Sequence, residues 1–432
     1  MVVIVALLLL IVTLFIGVPI PFAFLASAAY LIFVQGYDPS FLFPYGFSKM
    51  NSIVLLAIPL FIMAGSLMEK GRIGDKLVEL VEVIVGRIKG GLGVVMVVSC
   101  AIFGAISGSS SATVSCIGSV MLPKLYENGY PRGHCSALIA SSGVLGILIP
   151  PSMLMILYAW IGNQSVLASF LAAAVPGLIL MILLSLVNIV LLKKNPNIKV
   201  KESFNLPTTV KLLGVRGIKA APAMMMPVIV LGGIYGGIMT PTEGAAIAVL
   251  YSVPVGFFVY KGLNKENFWK AFTDAAITTG VIMIMLFGVM ILSRLYIMEN
   301  LPAKIIKFLT AISSNKIIIL MMINLFMVII GMLMDDVSAV LLSTPILLPV
   351  VTKIGVNPIH FAAILGVNLG MGNITPPTAP LLYLAGRIGG AKVNEMLLPT
   401  LYMILFAWLP TLILITYFPS ISLFLPRLIL GN

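Results

Sequence analysis

The sequence predicts an all-α polytopic membrane protein built from an inverted-topology repeat with two re-entrant helical hairpins. First, 60% of the 432 residues are hydrophobic and only 9% are Asp, Glu, Lys or Arg, too few to cover a surface in water. Second, the apolar segments are long and continuous, which favours helices over the alternating strands of an outer-membrane barrel. Third, the second half repeats the element order of the first. The length leaves room for roughly ten to thirteen crossings.

The N-terminal part of the chain predicts three crossings and an interfacial helix. A glycine and two prolines interrupt the apolar residues 1–34, which indicates two helices joined by a tight turn. Residues 52–68 form a third crossing. Over residues 69–89, charged side chains alternate with Leu, Val and Ile at helical spacing. This pattern predicts an amphipathic helix lying at the membrane interface.

A first re-entrant hairpin is predicted at residues 90–127. Its apolar sequence is broken near the middle by the polar segment 107–113, and each flank is too short to span the bilayer comfortably. The next apolar segment, 135–160, is interrupted at Gly146 and at a Pro-Pro pair. A broken helix is therefore expected to follow the hairpin.

The remaining segments repeat this order. Residues 166–192 form a plain span, and residues 193–219, the most polar stretch of the chain, form a loop. The segments that follow are spans at 222–239, 242–260 and 276–293, an amphipathic helix at 294–316, a second hairpin at 317–352 with Asp335 and Asp336 at its centre, an apolar segment at 358–385 broken at 370–377, and a closing span at 393–418.

The repeat has a fixed offset of 226 residues, which separates Pro150 from Pro376. The same offset pairs Pro151 with Pro377, Pro123 with Pro349, Gly129 with Gly355, Gly146 with Gly372 and His134 with His360. Because these pairs include the helix breakers, the match concerns the shape of the chain as well as its apolar character. It also places Ser109 and Ser110 opposite Asp335 and Asp336.

The basic residues predict that the two halves are inverted. Residues 193–219 hold seven basic residues and one acid, so this loop is expected in the cytoplasm. Counting spans from there places 294–316 outside and 69–89 inside. Equivalent segments that face opposite sides indicate a secondary transporter. The net charge of +12 is then a topology signal rather than a sign of nucleic-acid binding.

Hydroxyls and freed backbone carbonyls cluster where the first hairpin meets its broken helix. At membrane depth such oxygens need partners, and in a broken helix they can coordinate Na⁺. The candidate cation ligands here are Ser107, Ser109, Ser110, Gly143, Gly146 and Pro150. The alternative is a seam of small residues that lets the helices pack closely.

Two adjacent acids stand inside the apolar second hairpin, which is costly unless they have a function. They can bind a cation directly or carry protons, and the sequence does not choose between the two acids. The candidate cation ligands of this half are Asp335, Asp336, Gly370, Gly372, Asn373 and Thr375. The alternative is a charged tip that reaches water or caps a helix.

Several classes of site are not expected. No Walker A loop, nucleophile elbow or His-Glu-x-x-His sequence occurs, so neither ATP drive within this chain nor these enzyme classes are indicated. The cysteines and histidines lack ligand spacing, and no transition-metal site is predicted. An intramembrane protease is disfavoured because neighbouring acids do not form a dyad from separate helices.

Five stretches together resemble the large membrane subunit of tripartite ATP-independent periplasmic (TRAP) transporters, over essentially the whole chain. They are Gly-Ser-Ser-Ser-Ala-Thr-Val at 108–114, Gly-Ile-Leu-Ile-Pro-Pro-Ser at 146–152, Gly-Gly-Ile-Met-Thr-Pro-Thr-Glu-Gly-Ala-Ala at 236–246, Met-Asp-Asp-Val-Ser-Ala at 334–339 and Asn-Leu-Gly-Met-Gly-Asn-Ile-Thr-Pro-Pro at 368–377.

The resemblance implies a transporter of the bacterial inner membrane that imports organic acids, such as C4-dicarboxylates or sialic acid, driven by Na⁺. It implies two partners, a small four-helix membrane subunit and a soluble periplasmic substrate-binding protein. No fused small subunit is visible before Asn432, so a separate chain is expected. The resemblance further implies a scaffold and a transport domain that moves like an elevator.

The resemblance also places an anionic substrate between the two hairpin tips. The candidate substrate-binding residues are Ser111, Thr113, Ser338, Pro151, Pro376 and Thr378. The expected domains are scaffold helices and an interfacial arm at 1–89, transport repeats at 90–165 and 316–392, scaffold helices with the cytoplasmic loop and second arm at 166–315, and a C-terminal helix at 393–432.

Two other transport functions remain open at this point. One is a stand-alone Na⁺/divalent-anion carrier, which would need no binding protein. The other is a proton-coupled ion antiporter or channel that uses Asp335 and Asp336 as a relay.

Overall fold

The computed structural model describes residues 2–85, 88–199 and 206–431, and within these ranges the chain is helical, without a strand. Residues 86 and 87 of the predicted interfacial arm and residues 200–205 of the predicted loop lie outside the described residues. The α-helices of the first half are Val2–Phe15, Ile20–Gln35, Leu42–Met50, Ala57–Lys70, Ile73–Val85, Gly91–Ser107, Ser110–Glu127, Arg132–Gly143, Leu145–Leu148, Met153–Gly162 and Val166–Leu192.

The second half has the same helical character. Its α-helices are Leu206–Tyr235, Pro241–Pro254, Lys265–Met298, Leu301–Ile312, Lys316–Leu333, Asp336–Lys353, Pro358–Gly372, Pro380–Gly389, Val393–Met403, Leu409–Tyr417 and Pro419–Leu430. Among the described residues, eight helices are long and apolar enough to cross a membrane, and a ninth span is a bent pair. Five further apolar helices of the described residues are shorter than a full span, and the length itself leaves room for roughly ten to thirteen crossings.

Both hairpins and both broken helices are present, as the breaker residues predicted. We call residues 91–127 the first hairpin, 132–162 the first broken helix, 316–353 the second hairpin and 358–389 the second broken helix. The first hairpin turns at Gly108, whose φ of +63° lies in the left-handed region that favours glycine. The first broken helix bends by 47° at its break.

A capping box fixes the start of helix Pro241–Pro254, at a junction between two spans. The Thr240 hydroxyl accepts a hydrogen bond from the Glu243 backbone N–H at 3.3 Å. The Glu243 carboxylate in turn accepts from the Thr240 N–H at 2.7 Å. This capping box satisfies backbone donors that the helix itself cannot.

Three boundaries differ from the prediction. The predicted loop at 193–219 already contains the first turns of helix Leu206–Tyr235, which are more polar than the span that they continue. The predicted amphipathic helix at 294–316 is shorter, Leu301–Ile312, since the preceding span runs on to Met298. The C-terminal helix expected at 393–432 is not continuous, because a separate helix, Pro419–Leu430, begins at a proline after the closing span.

The hairpins and broken helices interlock. Helix Ser110–Glu127 of the first hairpin packs against both broken helices, and Met153–Gly162 of the first broken helix packs against Asp336–Lys353 of the second hairpin. The domain boundaries stay a prediction. Helix Val166–Leu192, which was expected in the scaffold, packs against Pro358–Gly372 of the second broken helix.

One long helix, Lys265–Met298, lies between this unit and the N-terminal helices. It packs against Ile20–Gln35 and Ala57–Lys70 on one side and also against Asp336–Lys353 of the second hairpin. We call it the central helix. It therefore borders any space that opens between the two groups of helices.

Candidate functional site

The two hairpin tips meet through equivalent residues of the repeat. The Ser110 hydroxyl donates a hydrogen bond to carboxylate oxygen Oδ2 of Asp336, and both side chains are buried. The two residues are 226 positions apart, which is the repeat offset. The pseudo-two-fold axis that relates the two halves therefore runs between these two side chains.

The second carboxylate oxygen of Asp336 is also bonded. Oδ1 accepts from the Asn373 side-chain amide, which comes from the broken segment of the second broken helix. Asp336 is 9% exposed. Within the described part of the chain, no ion pair joins it to a basic side chain. A buried carboxylate held only by neutral donors needs a proton or a bound cation to offset its charge.

Asn373 has a further feature that bears on cation binding. It is 1% exposed, and its side-chain oxygen Oδ1 is buried without a hydrogen-bond partner. Buried polar atoms are almost always satisfied, and an amide oxygen beside a carboxylate is a hard ligand of the kind that alkali cations prefer. The Asn373 amide N–H, and not its oxygen, faces Asp336, so that cation binding by both residues together stays a prediction.

The tip of the first hairpin gathers oxygen atoms without any charge. The Thr113 hydroxyl donates to the Ser109 carbonyl at 2.7 Å, and the Ser107 hydroxyl lies 3.2 Å from the Thr113 hydroxyl. Ser107 and Thr113 are buried. Gly146 of the first broken helix lies beside this cluster, since a Cβ built there would be 2.6 Å from both the Ser109 carbonyl oxygen and Thr113 Oγ1.

Glycines let the broken helices approach the hairpins in both halves. A Cβ on Gly104 would lie 2.5 Å from the Cα of Gly146, and a Cβ on Gly372 would lie 2.6 Å from the Cα of Gly331. These contacts match the close-packing alternative considered for the small residues.

Two other predicted cation ligands are also packing residues. Gly143 sits against the Val114 side chain and the Ser110 carbonyl, and Gly370 sits against Val144 and Trp408. The structure places both at tight helix contacts. Their part in cation binding stays a prediction.

The breaks in the two broken helices hold the remaining predicted residues. Pro150-Pro151 and Pro376-Pro377 are both joined by cis peptide bonds. The Met153 N–H at the end of the first break donates to the Gly108 carbonyl at 3.2 Å, which ties the break to the first hairpin tip. The Thr375 hydroxyl, which lies beyond the end of helix Pro358–Gly372, donates to the Met371 carbonyl of that helix at 2.6 Å.

A cavity of about 390 Å³ opens between the two tips and the central helix. Six residues predicted from the sequence line it, namely Ser109, Ser110, Ser111, Asp335, Asp336 and Asn373. A cavity of this size suits a small organic molecule. The tips of both halves therefore face one shared space.

Of the six predicted substrate ligands, Ser111 alone lines this cavity. Thr113 is buried within the first tip, and Ser338 donates its hydroxyl hydrogen to Asp335. Pro151, Pro376 and Thr378 lie at the breaks and are absent from the cavity lining; the Thr378 hydroxyl is buried without a partner. These five are close to the site in the fold, but the cavity does not expose them.

Sequence reasoning missed one wall of the cavity. The central helix contributes Ile277, Thr278, Val281, Ile282 and Met285. Their spacing of one, three, one and three residues places them on one helical face. The sequence treated this segment as a plain apolar span. Among these five, Thr278, whose hydroxyl is a polar group inside this apolar span, was the one residue that could have indicated a cavity wall.

The chain matches a known family over nearly its whole length. The pattern of the tripartite ATP-independent periplasmic transporter, DctM component, matches residues 7–421. The chain belongs to this family. Membership confirms the resemblance seen in the sequence motifs, and it makes the chain a transporter permease rather than an enzyme.

Relatives in this family transport different acids. The chain is 35% identical over 413 residues to the isethionate TRAP transporter permease protein DctMQ of Oleidesulfovibrio alaskensis. The matched region covers 95% of this chain but 64% of that relative's length. The chain is 34% identical to the C4-dicarboxylate TRAP transporter large permease protein DctM of Pseudomonas aeruginosa, over 88% of both chains. It is 30% identical to the sialic acid TRAP transporter large permease protein SiaM of Vibrio cholerae, over 97% of both.

A solved structure shares the fold. The YdaH transporter of Alcanivorax borkumensis superposes with a TM-score of 0.60 and 16% sequence identity, covering 86% of this chain and 85% of that one. Together with the helices described above, this confirms the predicted class, an all-α multi-pass membrane protein with paired hairpins.

Proposed function

We propose that this chain is the large membrane subunit of a Na⁺-coupled transporter that imports an organic acid anion. The observation that carries the proposal is Asp336, a buried carboxylate that joins the tips of both hairpins through neutral donors. A cation bound there offsets its charge and fixes both tips at once. Cation binding and closure of the tips are then one event.

Two cation sites follow from the two tips. At the second tip, Asp336 and the unpartnered amide oxygen of Asn373 supply the ligands. At the first tip, the hydroxyls of Ser107 and Thr113 and the carbonyl of Ser109 supply neutral oxygens. Hard oxygen ligands of this kind suit Na⁺ at the breaks of transporter helices.

The substrate is proposed to occupy the cavity between the tips. Asp335 and Asp336 line it and would repel an anion on their own. Bound Na⁺ reverses this effect, so that the anion binds only after the cations, which is the basis of coupling. The named substrates of the relatives, isethionate, C4-dicarboxylate and sialic acid, are all acids, and we extend that class to this chain.

Membership of the family supports a proposal for the partners and the location. We propose a small four-helix membrane subunit, a periplasmic protein that delivers the substrate, and the bacterial inner membrane as the site. The interlocked hairpins and broken helices form the moving unit of an elevator, which slides along the central helix and the N-terminal helices.

Proteoliposomes that contain the chain and its small subunit, supplied with the binding protein, test this proposal. Radiolabelled succinate, sialic acid and isethionate are offered under an inward Na⁺ gradient, an inward H⁺ gradient or neither. We expect uptake of at least one acid with the Na⁺ gradient and only when the binding protein is present.

The same experiment decides between the alternatives. Uptake that responds to the H⁺ gradient and not to Na⁺ would make Asp336 a proton carrier and overturn Na⁺ coupling. Uptake that needs no binding protein would indicate a stand-alone Na⁺/anion carrier. Uptake of none of the three acids under any gradient would contradict the proposed substrate class.

A further inference from the structure

A second cavity, of about 380 Å³, adjoins the first. The two cavities share the lining residues Ser109, Ser111, Met153, Thr278 and Leu384. The second cavity continues along the central helix toward its N-terminal end, from Thr278 to Asp274, and reaches the end of helix Ala57–Lys70. A molecule between the hairpin tips is therefore next to this second space.

A salt bridge lies at the far end of the second cavity. The Lys70 ammonium nitrogen is 2.7 Å from Oδ2 of Asp274, with 20% of the lysine side chain and 49% of the aspartate side chain exposed. Lys70 belongs to the N-terminal helices and Asp274 to the central helix. Glu69 lines the same space.

The charges around the two cavities are unequal. Four acids line them, Asp335, Asp336, Glu69 and Asp274, whereas Lys70 is the one basic side chain among their described lining residues. An anion that enters this space therefore finds a single fixed positive charge of the protein. Coulomb attraction in a partly buried site is several times stronger than in water, so this charge matters for an anion.

We propose that Lys70 binds the anionic group of the transported acid, and that Asp274 is the resting partner that the anion displaces. This inference rests on the proposed function. The exchange leaves no charge unpaired on the lysine, because one anion replaces another on the same ammonium group. Asp274 can leave since half of its side chain already faces solvent.

Asp274 then competes with the transported anion for Lys70. Asp274 occupies Lys70 when no anion is present, so its carboxylate weakens anion binding and speeds anion release. Lys70 and Asp274 are therefore expected to have opposite effects on affinity. If the salt bridge only joined two helices, substitution of Lys70 and substitution of Asp274 would change anion affinity in the same direction, because either substitution breaks the bridge.

The test measures anion affinity of the purified chain with its small subunit in Na⁺ buffer. Succinate, sialic acid and isethionate are titrated separately, and the dissociation constant is taken from ligand-induced thermal stabilisation. We expect Lys70→Met to raise the dissociation constant about tenfold or more, because the anion then has no ammonium group to bind. We expect Asp274→Asn to lower it by a factor of about three, because the competitor is gone.

Two further variants keep the result interpretable. Lys70→Arg retains the charge and should keep the dissociation constant within about threefold of the wild type. Lys76→Met breaks a matched salt bridge, Lys76 to Glu79 at 2.7 Å, which lies outside both cavities and should leave affinity unchanged. Together, these two variants show whether a change in the dissociation constant comes from the lost charge of Lys70 or from a loss of folding.

The contradicting outcomes are distinct from failure of the proposed function. If Lys70→Met and Asp274→Asn weaken binding equally, or if neither changes it, the assignment of Lys70 is wrong while Na⁺-dependent uptake by the wild type stands. If the wild type itself takes up none of the three acids, the proposed function fails and this inference falls with it.

Discussion

The two hairpin tips occupy equivalent positions in the repeat but differ in charge. Each tip sits against a broken helix through a glycine contact, and each faces the shared cavity. The first tip is neutral, and its hydroxyls and carbonyl bond mainly to one another. The second tip is acidic, and Asp336 bonds outward to Ser110 and Asn373. The repeat therefore sets the geometry, whereas the residues at the tips set the charge.

This difference indicates which tip controls the other. A neutral cluster that satisfies itself can hold its shape without a ligand. A buried carboxylate without a basic partner is costly in free energy unless a proton or a cation offsets its charge. The hydrogen bond of Asp336 to Ser110 also reaches into the other half. Loss of charge at the second tip is expected to disturb both tips, whereas changes within the hydroxyl cluster of Ser107 and Thr113 at the first tip are expected to stay local.

The largest expected effect comes from Asp336→Asn. This change keeps the size of the side chain but removes the charge that a cation would offset. Removal of one partner of a buried ionic contact costs about 3 kcal/mol, so Na⁺-dependent uptake should fall roughly a hundredfold. Uptake assays in proteoliposomes measure this. The exposed neighbour gives the control, since Asp335→Asn should retain most activity, and wild-type Na⁺ dependence in Asp336→Asn would remove Asp336 from the site.

Alanine at the two equivalent glycines tests whether the tips share one packing geometry. Gly146→Ala and Gly372→Ala should each reduce the free energy of unfolding by about 1–3 kcal/mol, because the new methyl group meets backbone atoms. Thermal unfolding in detergent reports the change. Gly232→Ala is the matched control, since a Cβ there meets nothing within 4 Å. A large loss of stability at one glycine and none at the other would contradict equivalent packing.

Ser110→Ala removes the hydrogen bond between the tips. A hydrogen bond to a charged group contributes about 1.5–3 kcal/mol, so Na⁺ affinity should weaken about tenfold while expression is retained. The concentration of Na⁺ that gives half-maximal uptake is the quantity to measure. Ser119→Ala, further along the same helix and bonded to the Cys116 carbonyl at 2.8 Å, serves as the control. Equal Na⁺ dependence in both variants would show that the inter-tip contact has no role.

The smallest effect is expected within the neutral hydroxyl cluster of the first tip. Thr113→Val removes one neutral oxygen and keeps the shape, so Na⁺ affinity should fall by a factor of about three, as for loss of one ordinary hydrogen-bonding ligand. The same Na⁺ titration of uptake measures it. A loss as large as that of Asp336→Asn would mean that the neutral tip, and not the acidic one, dominates cation binding.

The hairpins and broken helices could be predicted because their residues interrupt apolar segments in a way that no straight span tolerates. Glycine, proline and serine at 107–113 and 146–152, and their counterparts 226 residues later, leave backbone groups that require a turn. The capping box at Thr240 is equally local. Such signals lie within a few residues of the feature that they determine.

Contacts between distant segments could not be predicted in this way. The hydrogen bond from Ser110 to Asp336 and the wall supplied by the central helix depend on how whole helices pack. The pairing of Lys70 with Asp274 joins residues whose sequence neighbourhoods look like ordinary span ends. The helix starting at Leu206 was missed because its first turns are more polar than the span that they continue.

The contact between Ser110 and Asp336 has a consequence for symmetry. In an assembly of two identical halves, a residue on the two-fold axis meets its own copy, so an acid there would face an acid and a serine would face a serine. Neither arrangement gives a carboxylate with a hydroxyl donor. A single chain that contains both halves is free to place different side chains at the axis, and here it does so. The pairing of a carboxylate with a hydroxyl at the centre of this transporter is thus a feature that a symmetric dimer of one half could not possess.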